Sequence, residues 1–313
     1  MAVVGVYRDM KRITRIVVLI FAALAGMVSC DRFEGEVDVP AYLKIDSMYV
    51  VDNPSDSWSQ ESGFFTSSID AVNIVVWAKG DTAEIELGTF QLPCKVPVLK
   101  HGMVDKVRIM PVVKQDGIAG KRIYYPYYQT LQFDSVRFAP DSVTDFGTLT
   151  TKYISRNTMK VVWQEYFEPG PSEISLDSAV MRCYSLDTVR SGYGCGVVRV
   201  KEDETSIRFW ADTTFDVGDA TSIVYLEMDY WSDIDLSIGL YNPTYSGGPN
   251  NLITHMTIYG KPERGWQKIY INIGSLWSQH FNHYQYIRPY FTVLNSSGKS
   301  GNVFIDNIKL LVM

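Results

Sequence analysis

From about residue 40 onward, apolar and polar residues alternate in short runs separated by Gly, Pro, Asn or Asp. Between about 40 and 150 the runs are YLKIDSMYVV, AVNIVVWAKG, AEIELGTFQLP, KVRIMPVV and TLQFDSVRFA. Alternation over five to eight residues, rich in β-branched and aromatic side chains, predicts half-buried strands, and their regular spacing predicts a sandwich. A second series, including SIRFWADT, SIVYLEMDYW, GWQKIYINI, YQYIRPYF and NVFIDNIKLL, fills about 158–313. No stretch of the chain after residue 30 keeps a helical period, so the expected class is all-β, in two sandwiches over 41–155 and 156–313.

Alternation also sorts the faces of the later strands. In SIVYLEMDYW, Val224, Leu226, Met228 and Tyr230 point one way, and Tyr225, Glu227, Asp229 and Trp231 the other. The corresponding second faces carry Arg208, Trp210 and Asp212; Trp266, Lys268 and Tyr270; and Tyr284, Tyr286, Arg288 and Tyr290. Rings pack on the C–H faces of sugars, and charged groups hydrogen-bond their hydroxyls. The candidate ligand-binding residues are therefore Trp210, Asp229, Trp231, Trp266, Tyr270, Tyr286, Arg288 and Tyr290. The alternative is that these rings form a second core layer or lie scattered on the surface. The loop from Tyr241 to Asn250 is a candidate rim.

The N-terminus carries an address. Arg8, Lys11, Arg12 and Arg15 precede the apolar run Ile16–Val28, which is too short for the ~20 residues that a membrane-spanning helix needs. A basic flank, a short apolar region and small residues before a cut site mark a secretory leader. The segment Met27-Val28-Ser29-Cys30 resembles the lipobox of bacterial lipoproteins, which implies removal of residues 1–29 and acylation of Cys30. Residues 30–40 form an acidic tether. The resemblance implies a membrane partner through the lipid. Asp31 beside Cys30 resembles an inner-membrane retention signal, and the acidic stretch Asp31, Glu34, Glu36 and Asp38 a surface-export signal. The expected location is the outer membrane, facing outward.

Removing residues 1–29 takes away four basic residues and Asp9, leaving 25 Lys+Arg against 34 Asp+Glu, a net charge of −9. That balance argues against nucleic acid, which rewards a basic surface. Cys94, Cys183 and Cys195 remain. Cys183 and Cys195 sit on neighbouring strand runs as a candidate disulfide, with two small buried thiols as the alternative.

Two further resemblances bear on fold and ligand. The phrase VNIVVWAKGDTAEIELGTFQLPCKVPVLKHG resembles the immunoglobulin-like or carboxypeptidase-regulatory-like N-terminal domains of such lipoproteins. VVWQEYFEPG, SGYGCGVVRV, GWQKIYINI and NVFIDNIKLL resemble the jelly-roll (galactose-binding-like) carbohydrate-binding modules. The second implies glycan recognition and a candidate structural Ca²⁺ held by Glu168 and Asp306; no other cofactor is expected.

Catalytic patterns are weak. His101, His255, His280 and His283 form no HExxH motif, His280 and His283 are read in a strand or loop, and no GxSxG elbow occurs. Paired carboxylates such as Asp233 and Asp235 alternate onto one strand face, which a glycosidase could use. Asp-Ser or Asp-Thr triplets offering Ser47, Thr82, Ser135, Ser142, Ser178, Thr188 and Thr213 resemble an O-glycosylation signal; turn initiation explains them equally. The expected function is non-catalytic glycan binding at a membrane surface. An envelope component that binds another protein is the alternative, with a glycoside hydrolase behind both.

Overall fold

The computed structural model describes residues 39–55, 62–170, 179–218, 222–241, 252–280 and 286–313. The leader, Cys30, the acidic tether up to residue 38, Tyr284, His283, Ser178 and most of the 241–250 loop lie outside the described residues. The first half of the chain folds into β1 (Ala41–Ile45), β2 (Ser47–Val50), β3 (Ala71–Trp77), β4 (Ile85–Gln91), β5 (Cys94–Val98), β6 (Gly102–Lys114), β7 (Arg122–Tyr124), β8 (Leu131–Phe138), β9 (Val143–Asp145) and β10 (Thr148–Thr151). The second comprises β11 (Lys160–Glu165), β12 (Met181–Cys183), β13 (Cys195–Val200), β14 (Ser206–Trp210), β15 (Phe215–Asp216), β16 (Val224–Ser232), β17 (Asp235–Tyr241), β18 (Leu252–Ile258), β19 (Gln267–Ile271), α1 (Ile273–His280), β20 (Tyr286–Leu294) and β21 (Gly301–Val312). Among the described residues the protein is all-β apart from α1 and short 3-10 turns.

In the first half, a sheet ordered β4-β3-β6-β7, with β8 also on β6, faces a smaller layer in which β1 joins β5 and β9 while β2 joins β10. Leu43, Ile45, Val96 and Val98 meet Val72, Ile74, Val76, Val107 and Ile109 between the layers, all of them excluded from water. In the second half every pair is antiparallel. One sheet runs β12-β13-β21-β16-β19 with β11 on β21; the other runs β14-β20-β17-β18 with β15 on β20. Val224, Leu226 and Met228 of the first sheet pack on Leu236, Ile238, Phe291 and Val293 of the second, which is the inward face read from the alternation.

The helix corrects the expectation of none. Asn272 caps it, its Oδ1 accepting the Ser275 N–H at 3.2 Å. Ile273, Leu276 and Trp277 then fall on one face and enter the core. His280 thus ends a helix rather than lying in a strand or loop.

The other face of the β21-β16-β19 sheet is buried as well, because the first sandwich packs on it. Tyr225, Tyr270 and Leu311 belong to the core of the first half. At their centre is Glu227, fully buried, accepting hydrogen bonds from the Tyr125 hydroxyl at 2.6 Å and the Tyr153 hydroxyl at 2.8 Å. The Lys309 and Lys268 ammoniums stand 3.0 and 3.3 Å from its Oε2. Burial works against ionisation of Glu227, yet the two lysines and the phenols hold its carboxyl below the usual range. Burial pushes Lys309 the other way, below the ordinary lysine value; its Nζ also donates to the Phe64 carbonyl and the Tyr153 hydroxyl. Around the hub, Tyr125 meets Tyr127, Tyr128, Tyr225 and Tyr270 edge-on at 4.7–5.5 Å, the geometry that ring quadrupoles favour.

A second clasp closes one end of this contact. Asp116, in the left-handed region at the β6–β7 turn, accepts the Asn272 N–H at 3.0 Å and pairs with His255 at 3.2 Å. Burial raises its carboxyl, but bonds from His255, Lys121, Gln115 and Asn272 prevail and bring it to about 2.

Removing one partner from a buried ion cluster leaves unpaired charge in the interior. Glu227→Ala is therefore expected to lower the unfolding free energy by about 3–5 kcal/mol in urea titration. A loss below about 1 kcal/mol contradicts the hub's role.

Candidate functional site

Packing of the two halves decides which predicted residues reach solvent. On the covered sheet, Asp229 is wholly buried, its Oδ2 accepting from the Thr66 hydroxyl at 2.6 Å and from Asn307 at 2.8 Å. Tyr270 is buried too, its hydroxyl accepting the Ser68 N–H at 2.8 Å and lying 3.1 Å from that of Tyr128. Neither can touch a sugar. The expectation that Asp229 and Tyr270 face a ligand is corrected: their face meets the other sandwich, not water. Trp231 packs on Phe304 at 5.3 Å and donates to the Pro262 carbonyl, and Trp266 donates to the Thr188 carbonyl at 3.0 Å. Both are half-buried and separated from the remaining candidates by the thickness of the sandwich.

Those remaining candidates meet on the β14-β20-β17-β18 sheet. Phe209 and Phe291 stack 4.9 Å apart in the core, turning Arg208, Trp210, Arg288 and Tyr290 outward. Register places Trp210 opposite Tyr290, Tyr290 opposite Gly239, Arg288 opposite Tyr241, and Tyr241 opposite Leu252. Arg208, Trp210, Tyr241, Leu252 and Arg288 line a cleft of about 240 Å³.

Tyr290 forms the deep part of this strip rather than its rim. Its ring lies flat across β17, where a Cβ on Gly239 would come within 2.7 Å of it and 2.2 Å of the Ile253 carbonyl. Only glycine leaves that room. The Tyr290 hydroxyl meets that of Thr254 at 2.6 Å, and the ring is 3% exposed. Tyr290 thus supports the cleft and presents no open ring face. Tyr286, 53% exposed, continues the same strand face beyond Arg288.

Arg288 lies within 5.6 Å of the Trp210 ring centre and 5.9 Å of that of Tyr241, in cation–π range of both. Its Nε donates to the Ala211 carbonyl and its Nη2 to that of Asp212 at 3.2 Å, so the head group is fixed between two aromatic walls. Arg208 is exposed and tied only by a 3.4 Å contact from Nε to the Thr292 hydroxyl.

The metal candidates are close to one another. Glu168 Oε1 accepts the Tyr193 N–H at 2.9 Å and Asp306 Oδ1 the Asn307 N–H at 2.8 Å, while Glu168 Oε2 and Asp306 Oδ2 are buried with no hydrogen-bond partner. Burial, with the charges of Asp229 and Glu168 added, pushes the Asp306 carboxyl up to about 8. Orphaned buried oxygens of this kind fit a cation. Among the described residues, however, no three His, Cys, Asp or Glu side chains are arranged to hold a metal. Calcium takes six to eight oxygens, so main-chain carbonyls or water would have to supply the others.

Cys183 and Cys195 face each other across the β12–β13 pair but are free thiols. The Cys183 sulfur meets the Thr188 hydroxyl at 3.2 Å, and the Cys195 thiol donates to the Thr188 carbonyl at 3.7 Å. The candidate disulfide is corrected to an in-register, unbridged pair. Asp233 accepts from the Asn302 N–H at 3.1 Å and Asp235 from the Gly260 N–H at 3.0 Å, which makes them turn anchors.

The chain matches no protein-family model and no curated protein. Among solved structures it is similar to a family 61 carbohydrate-binding module in complex with β-1,4-galactotriose, at 15% identity over 46% of this chain and 89% of that one, with a TM-score of 0.30. It is also similar to a variant of a family 29 module complexed with mannohexaose, at 10% identity over 50% of this chain and 91% of that one, with a TM-score of 0.31. At such scores, the sugars bound by those modules do not transfer to this chain.

Proposed function

We propose that this protein is a non-catalytic glycan-binding lipoprotein. In this reading Cys30 carries the lipid, the outer membrane is the location, an immunoglobulin-like first sandwich is the spacer, and the second sandwich is a jelly-roll binding module. One observation carries the binding site: Trp210, Tyr241 and Arg288 converge on an open cleft of the sheet whose outer face the first sandwich leaves uncovered. A pyranose has one polar rim and apolar C–H faces, and a cleft with aromatic walls and a fixed guanidinium answers both.

A second reading, an envelope component that binds another protein, draws on a different surface. Tyr184, Leu186 and Tyr193, between β12 and β13, are 51%, 90% and 77% exposed, and aromatic anchors of this kind favour protein partners. A glycan array together with cell-surface crosslinking separates the two.

Trp210→Ala is expected to weaken array binding about tenfold or more, from the ~1–3 kcal/mol that an aromatic platform contributes by analogy with base stacking, while Trp231→Ala binds like the parent. Equal loss in both variants would put the site elsewhere. We also propose that Glu168 and Asp306 take a calcium ion. Excess Ca²⁺ should then raise the melting temperature relative to EDTA, and Asp306→Asn should abolish the difference. Identical melting with and without calcium removes the cation.

A further inference from the structure

The charge balance of the cleft identifies the class of sugar. Among the described residues its lining contains two arginines and no carboxylate. Asp212, an exposed acid beside the cleft, meets Arg288 through its main-chain carbonyl. Arg288 spends Nε–H and one hydrogen of Nη2 on the Ala211 and Asp212 carbonyls. That leaves both hydrogens of Nη1 and one of Nη2 unclaimed among the described residues. Arg208 has only the long Nε contact to Thr292, so its whole outer edge is unclaimed. Three arginines elsewhere form ion pairs: Arg108 with Glu84, Arg122 with Asp70 and Arg190 with Asp229. In a chain with more acids than bases, two guanidiniums with no ion pair among the described residues, flanking one aromatic cleft, amount to a local excess of donors and positive charge. Every hydroxyl of a neutral sugar also brings a donor hydrogen, and among the described lining residues the Tyr241 hydroxyl is the one side-chain acceptor for it.

We infer that the cleft binds a glycan bearing carboxylates, a polymer containing hexuronic acid, with Arg288 and Arg208 as the carboxylate-binding residues and Trp210 and Tyr241 as the platforms for the sugar ring. This rests on the cleft being a sugar site at all. The chemistry is that of a planar guanidinium edge meeting a planar carboxylate through two parallel hydrogen bonds. The rings flanking Arg288 hold that edge toward the cleft, so little side-chain entropy remains to be lost on binding.

The test is equilibrium binding of the full protein to polygalacturonate and to alginate, each compared with the same polymer after its carboxyls have been reduced to neutral sugar. Linkage and ring shape are kept, and only the charge is removed. The expected result is binding to at least one acidic polymer, weakened about tenfold or more by reduction and progressively by salt. Arg208→Gln should weaken binding to the acidic polymer about tenfold, a larger factor than it costs binding to the reduced form. Equal binding to acidic and reduced polymers overturns the carboxylate inference and leaves the sugar site standing. So does binding confined to neutral galactans, glucans or mannans and lost in Trp210→Ala. Failure of every polymer, acidic or neutral, overturns both.

Discussion

The buried charge of Glu227 is the constraint on which this structure depends. A carboxylate in a protein interior is tolerated only when opposite charges and hydrogen-bond donors surround it. Here the donors come from both halves of the chain: Tyr125 and Tyr153 from the first, Lys268 and Lys309 from the second. Neither half satisfies the group alone. If the sandwiches separate, Glu227, Lys309 and Asp229 must each find new partners, while Tyr225, Tyr270 and Leu311 lose their apolar surroundings. The contact between the halves is in this sense part of the core.

That union determines where binding can occur. A two-sheet sandwich has two outer faces, and the contact uses one of them. β16 is consequently buried on both sides, like a strand in the middle of a layered protein. The opposite sheet keeps its outer face, and there Gly239 makes room for the Tyr290 ring while Trp210, Tyr241 and Arg288 rise around it. The cleft exists because a small residue sits where the ladder brings a large ring across.

Much of this was legible in the chain. Alternation assigned Val224, Leu226 and Met228 to one face and Tyr225, Glu227 and Asp229 to the other, as the structure has them. A period of two says which residues share a face, not whether water or a second sandwich lies beyond it. Asp229 and Tyr270 therefore looked like ligand contacts when they are interface groups. Lys268 was noted only as a charge on that face, and Lys309, hidden in an apolar final strand, gave no signal that it would pair with Glu227. The helix at Ile273–His280 spans two turns, too few for a period to stand out against its neighbours. Trp210 and Arg288 were picked by residue type, but their meeting depends on the pairing of β14 with β20, strands about eighty residues apart, which no local pattern encodes. Tyr241 was grouped with the loop after it, although it closes β17 opposite Arg288.

Differential scanning calorimetry of the whole protein tests the joining of the two halves most directly. Shared satisfaction of Glu227 predicts one cooperative transition with equal calorimetric and van't Hoff enthalpies. Two separated transitions, each with the enthalpy of about half the chain, would show that the sandwiches unfold independently and would contradict their joining through Glu227.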